Sequence, residues 1–135
     1  VITRYSNDQK KTEINYKDNK QHGKTWGWYE NGQKMIIQNF KDGEFDGKTT
    51  MWYENGQTQL KTNYKVGAMD GAHTKWYENG QIELKANIKD DKLNGALIYF
   101  DQNGQIEFVS YLRNTVSNDP WRSVMQIIHY EISGL

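Results

Sequence analysis

Polar and apolar residues alternate through much of this chain, and the alternation recurs at a fixed interval. Ile36, Leu60, Leu84 and Phe108 stand 24 residues apart, and four residues beyond each come Phe40, Tyr64, Ile88 and Leu112. Between the two columns lie Gln38, Thr62, Ala86 and Ser110, so the column narrows toward the last copy. Apolar side chains at period two mark strands with one buried face. A further apolar column, Phe45, Met69 and Leu93, falls in the connections and predicts that each connection tucks a side chain back onto the sheet.

The same interval separates three copies of Trp-Tyr-Glu-Asn-Gly-Gln, beginning at Trp28, Trp52 and Trp76, with an altered copy from Phe100 to Gln105. Asn-Gly between such runs is a hairpin signal, because both residues tolerate the positive φ of a tight turn. Each unit closes on a glycine, Gly23, Gly47, Gly71 or Gly95. Residues 1–22 align as a worn first copy, with Tyr5 under Tyr29, Asn7 under Asn31, Asp8 replacing the turn glycine and Asn19 replacing Gly43. The predicted fold is all-β. It is a solenoid of about five antiparallel hairpins in a single twisted sheet, with repeats near 1–22, 23–46, 47–70, 71–94 and 95–116.

The period is lost after Asn114. Asp119-Pro120 suits the start of a helix, and Trp121, Val124, Met125, Ile128 and Ile132 follow helical spacing. Residues 117–135 are therefore expected to form a short helical cap over the open end of the sheet.

Loop length decides which aromatics share a face. A two-residue loop at Asn31-Gly32 sets Tyr29 opposite Lys34 and Trp28 opposite Met35. Tyr29 then shares a face with Ile36 and Phe40, and Trp28 lies on the other with Glu30, Gln33 and Ile37. A three-residue loop with Gly32 as a bulge shifts that pairing by one and sets Trp28 with Ile36. The Asn-Gly signature favours the two-residue loop. On that basis Trp28, Trp52, Trp76 and Phe100 form a ladder flanked by Lys61 and Lys85, and these six are the candidate binding residues. Two arrangements stay open: a partly open aromatic groove for an extended partner segment, or a second thin core in which Phe45, Met69 and Leu93 cover the rings.

Seventeen basic and seventeen acidic residues cancel, which removes the driver for nucleic-acid binding and disfavours an anionic membrane. The 36% apolar content is low while 13% is aromatic, as suits a thin sheet. There is no cysteine, so thiolate chemistry and disulfides are excluded. The chain starts at Val1, which fits either a removed secretion signal or a shortened chain. His22, His73 and His129 lack metal-ligand spacing, and no nucleophile elbow, Walker loop or dinucleotide fingerprint is present, so no metal, cofactor or catalytic residue is expected. Asp42 to Gly47 opens like a calcium loop, but Tyr53 stands where the bidentate glutamate belongs, and a turn is the simpler reading.

The constellation Gly-x-x-x-x-Trp-Tyr-x-Asn-Gly-x, followed by Tyr or Phe and then Asp-Gly or Asn-Gly, resembles the bacterial variant of the MORN repeat, over residues 1 to about 113. The resemblance implies a stack of β-hairpins without catalytic activity. Several bacterial members are described as antitoxin components of toxin–antitoxin pairs, and others occur in exported or surface-associated proteins. It therefore implies a scaffold binding another protein, a toxin among the candidates. The alternative is an exported or membrane-associated module, and localisation stays open between cell envelope and cytoplasm.

Overall fold

The computed structural model describes residues 1–112, so the expected helical cap lies outside the described residues. They form twelve strands in one unclosed antiparallel sheet. In chain order these are β1 Ile2–Arg4, β2 Lys10–Lys17, β3 Lys20–Trp28, β4 Lys34–Lys41, β5 Glu44–Phe45, β6 Gly47–Trp52, β7 Thr58–Lys65, β8 Ala68–Met69, β9 Gly71–Trp76, β10 Ile82–Lys89, β11 Lys92–Phe100 and β12 Ile106–Leu112. The path across the sheet is β1-β2-β3-β4-β6-β7-β9-β10-β11-β12, with β5 on β4 and β8 on β7. The expected single-sheet hairpin array is thus the observed fold.

The aromatic turns are not two-residue loops. The Gly32 N–H donates to Tyr29 O at 2.9 Å and the Tyr29 N–H to Gln33 O at 2.8 Å, enclosing Glu30, Asn31 and Gly32. Only Gly32 of these three has positive φ, at 86°. This is the three-residue loop that ends in a left-handed glycine. Asn31 is required for its amide rather than its backbone, since its Oδ1 accepts the Gln33 N–H at 2.9 Å. The two-residue turns with both φ positive stand at the other ends of the strands, at Asp18-Asn19, Asp42-Gly43, Val66-Gly67 and Asp90-Asp91.

A second irregularity follows each aromatic turn. Trp28 faces Lys34, but the next pair is Gly27 with Ile36, leaving Met35 without a counterpart. The extra loop residue and the bulge cancel, so Trp28 still lies on the face opposite Ile36, as the two-residue loop would have placed it. Met35 differs from expectation: it packs against the core, not among the tryptophans.

The core lies on the Ile36 face and comprises Ile36, Met51, Leu60, Tyr64, Met69, Leu84, Ala86, Ile88, Leu93 and Leu97. Phe45 joins it by stacking on Tyr64 at 4.9 Å and lying tilted against Phe40 at 4.7 Å. The connections therefore tuck inward as expected. They do not cover the tryptophans, because they spend their apolar side chains on the other face.

At the closing glycines Gly47 and Gly71 two residues of one strand oppose four of the next. Phe40 pairs with Phe45 and Ile37 with Thr50, so Asn39 meets the excess. Its Nδ2 donates to Lys48 O at 2.6 Å and its carbonyl accepts the Asp46 N–H at 2.9 Å. Gly47 takes φ 106° there, and a Cβ on it would sit 3.3 Å from that of Asn39. Asn15 and Asn63 repeat the amide bond, to Lys24 O and Ala72 O.

Neighbouring units are joined through the turns. The Tyr5, Tyr29, Tyr53 and Tyr77 hydroxyls donate to the carbonyls of Trp28, Trp52, Trp76 and Phe100 at 2.6 to 2.7 Å. Beside them the Asn7, Asn31, Asn55 and Asn79 amides donate to Glu30 O, Glu54 O, Glu78 O and Gln102 O. The last turn differs. Asp101 replaces tyrosine, and its Oδ1 accepts the N–H groups of Asn103 and Gln105 within its own loop, both at 2.9 Å.

Val66 is the exception among the tight turns, a β-branched residue at φ 48° where the other units carry aspartate. β-Branched side chains are strained there. Val66 is exposed, so no packing offsets the strain. Val66→Asp is expected to stabilise the protein by about 1 kcal/mol, read as a raised Tm; an unchanged or lowered Tm would refute the strain argument.

His73 occupies the core position that Thr49 and Leu97 fill in other units. It is 0% exposed, and neither ring nitrogen has a hydrogen-bond partner among the described residues. Burial, with a smaller contribution from Lys75, lowers its pKa to about 4. The unfolded chain binds this proton near pH 6.5, so stability is fully present above that value and falls as pH drops toward about 4. The loss saturates at roughly 3 kcal/mol. Denaturant titrations between those limits should show this slope in the native protein and not in His73→Leu, and equal slopes would contradict it.

Candidate functional site

Each strand next to an aromatic turn places three rows of side chains on the face opposite the core. Nearest the turns, Trp28 faces Lys34, Trp52 faces Thr58, Trp76 faces Ile82 and Phe100 faces Ile106. Two residues inward, Trp26 faces Ile37, Thr50 faces Lys61, and Thr74 lies between Lys61 and Lys85. The third row carries Lys24 beside Asn39 and Lys48 beside Asn63. All six predicted residues thus share one face. Their rings stay part-exposed, while Lys61 and Lys85 reach solvent.

The lysines lie over the rings. Lys34 Nζ is 5.3 Å from the Trp26 ring centroid and 6.0 Å from that of Trp52, and Lys61 Nζ is 6.0 Å from that of Trp76. At the first unit Lys10 stands 5.5 Å over Trp28, and Trp26 stacks on Trp28 at 6.0 Å. Each exposed contact of this kind contributes about 0.5 to 1 kcal/mol. It also holds an ammonium group over the indole ring, so the surface presents cationic hydrogens backed by aromatic rings. A shallow depression of about 500 Å³ opens beside Trp28, between Arg4, Gln9 and Lys10.

Sequence reasoning missed Trp26, Lys34 and Lys10. Trp26 is hidden from a repeat comparison because its equivalents are Thr50, Thr74 and Ile98. Its two-residue spacing from Trp28 was the available signal. Glu83 stands at a bulge position and approaches Lys75 at 3.9 Å.

Groups with chemical potential are engaged structurally. The calcium-like stretch is a turn: Asp42 holds a tight-turn position and Asp46 Oδ1 accepts the Val66 N–H at 3.2 Å. His22 Nδ1 lies 3.5 Å from Asp42 Oδ1. Among the described residues no cluster of three or more His, Cys, Asp or Glu side chains is placed to hold a metal.

The MORN repeat variant matches three stretches of the chain, residues 21–42, 45–65 and 69–90. No curated protein matches it. The outer hairpins fall beyond those stretches yet share the bulged register and the backbone bonds of the turn.

An open, cationic indole face has a spectroscopic signature. Iodide, drawn by the lysines, should quench the tryptophan fluorescence more strongly than caesium does, each measured against free tryptophan, and the difference should shrink at high ionic strength. Equal quenching at low salt would show that the rings are covered or the charge is absent.

Proposed function

We propose that this array of MORN repeat variants is a non-enzymatic binding module whose tryptophan face receives an extended segment of another protein. The observation that carries the reading is the single row of Trp28, Trp52, Trp76 and Phe100, left part-exposed because the connections pack on the opposite face. Tryptophan concentrates binding energy at protein interfaces. The matching repeat is not that of an enzyme family. A toxin neutralised by the array is one such partner, in keeping with the bacterial repeat variant that the motif resembles. Attachment to a membrane surface is the second reading, favoured by the lysines that accompany the rings.

The test replaces Trp52 and Trp76 by threonine, which strands accept. Affinity capture from the source cell should recover a protein partner with the native chain and lose it with the double variant, whose circular dichroism stays native. A loss of about 2 kcal/mol or more, near thirtyfold in Kd, is expected for two central tryptophans. Unaltered capture would reject the face, and so would unfolding of the variant. Sedimentation with anionic vesicles but no protein capture would favour the membrane reading instead.

A further inference from the structure

The chain is neutral as a whole, yet its charges are sorted. The three rows of the tryptophan face carry Lys24, Lys34, Lys48, Lys61 and Lys85, with Arg4 and Lys10 at the first unit. Glu13 is the one acid in those rows among the described residues, and it is paired with Lys10 at 2.9 Å. The aromatic turns that border the face carry Glu30, Glu54 and Glu78, all exposed, while along the other margin Asp46 and Asp70 stand among the exposed Lys41, Lys65 and Lys89. A cationic band therefore runs along the array, bordered by carboxylates on the aromatic-turn side. Neither Lys34, Lys61 nor Lys85 lies within ion-pair distance of a carboxylate among the described residues.

We propose that the segment received by this face is an acidic peptide in extended conformation, lying across the strands with its carboxylates on the lysine ammonium groups and its apolar residues against the indole edges. The inference rests on the binding role assigned to the face above and specifies the chemistry of its partner. Charge complementarity selects the sign, since an acidic chain meets unpaired ammonium groups along the band and a basic one meets repulsion. The carboxylates of Glu30, Glu54 and Glu78 along the aromatic turns disfavour a broad polyanion such as a duplex. Ring occupancy selects a peptide over single-stranded nucleic acid. Base stacking needs bare aromatic faces, and the faces of Trp26, Trp52 and Trp76 already carry ammonium groups. From β3 to β11 the path makes six strand-to-strand steps. At ~4.8 Å each, that distance matches an extended peptide of about nine residues.

The experiment uses the whole chain and a fluorescent peptide of about nine residues that alternates glutamate with leucine. Two further probes are the same peptide with lysine for glutamate and an oligothymidylate of matching length. The acidic peptide should bind, weaken as salt is raised and exceed both other probes. The triple variant Lys34→Glu, Lys61→Glu, Lys85→Glu should lose about tenfold in affinity, as several weak exposed ion pairs together predict. The triple lysine-to-arginine variant should retain it. No binding of the acidic peptide, equal binding by the charge-reversed variant, or tighter binding of the oligothymidylate would overturn the proposal. Loss in the Trp52→Thr, Trp76→Thr variant but not in the charge-reversed one would overturn the acidic partner and leave the aromatic face standing. The opposite pattern would remove the aromatic face and keep the acidic partner.

Discussion

Everything in this array depends on side chains that reach from one turn to the backbone of the next. A lone two-stranded hairpin is marginal in water, and strand pairing alone would not stop neighbouring hairpins from sliding by two residues. Tyr29 and Asn31 remove that freedom by fastening one rim to the carbonyls of Trp52 and Glu54. On the opposite rim the Gly43 N–H donates to Gln21 O and the Gly67 N–H to Phe45 O, both at 2.8 Å. With both rims tied, register holds along the stack, and a one-sided core suffices. Each bond contributes about 1 kcal/mol net, small singly but repeated at every junction.

How much of this was legible follows from what kind of signal each feature leaves. The 24-residue period made the hairpin array readable, and the columns of Leu60, Leu84, Tyr64 and Ile88 located the core face. Turn geometry was not readable, because Asn-Gly serves two structures: a pair of left-handed residues, or an asparagine whose amide caps a loop closed by glycine. The tertiary bond from Asn31 to the next unit decides between them, and a local reading omits it. The face of the tryptophans was assigned correctly through an error that a second bulge cancelled, which is why Met35 ended elsewhere. Lysine placement over the rings depends on neighbouring strands and left no mark in any one repeat.

The two faces of the sheet serve different ends. On one, Met69 and Leu93 fold inward and the polar exceptions are few, Thr49, Thr62 and His73. On the other, the rings are neither buried nor bare, since lysine stems and ammonium groups cover them. That arrangement keeps a row of large aromatics in water without a continuous apolar patch, which a thin sheet with open edges would otherwise offer to its own copies.

Asp101 changes how one rung of the stack is held. A stack made of like units contains no internal instruction to stop, because each turn extends a phenol and an amide toward a successor. The carboxylate at position 101 folds back onto Asn103 and Gln105 and replaces that outward donor with an inward acceptor. One residue type at one rung thus exchanges a tie between units for a tie within one, and the turn that carries it is fastened by its own backbone.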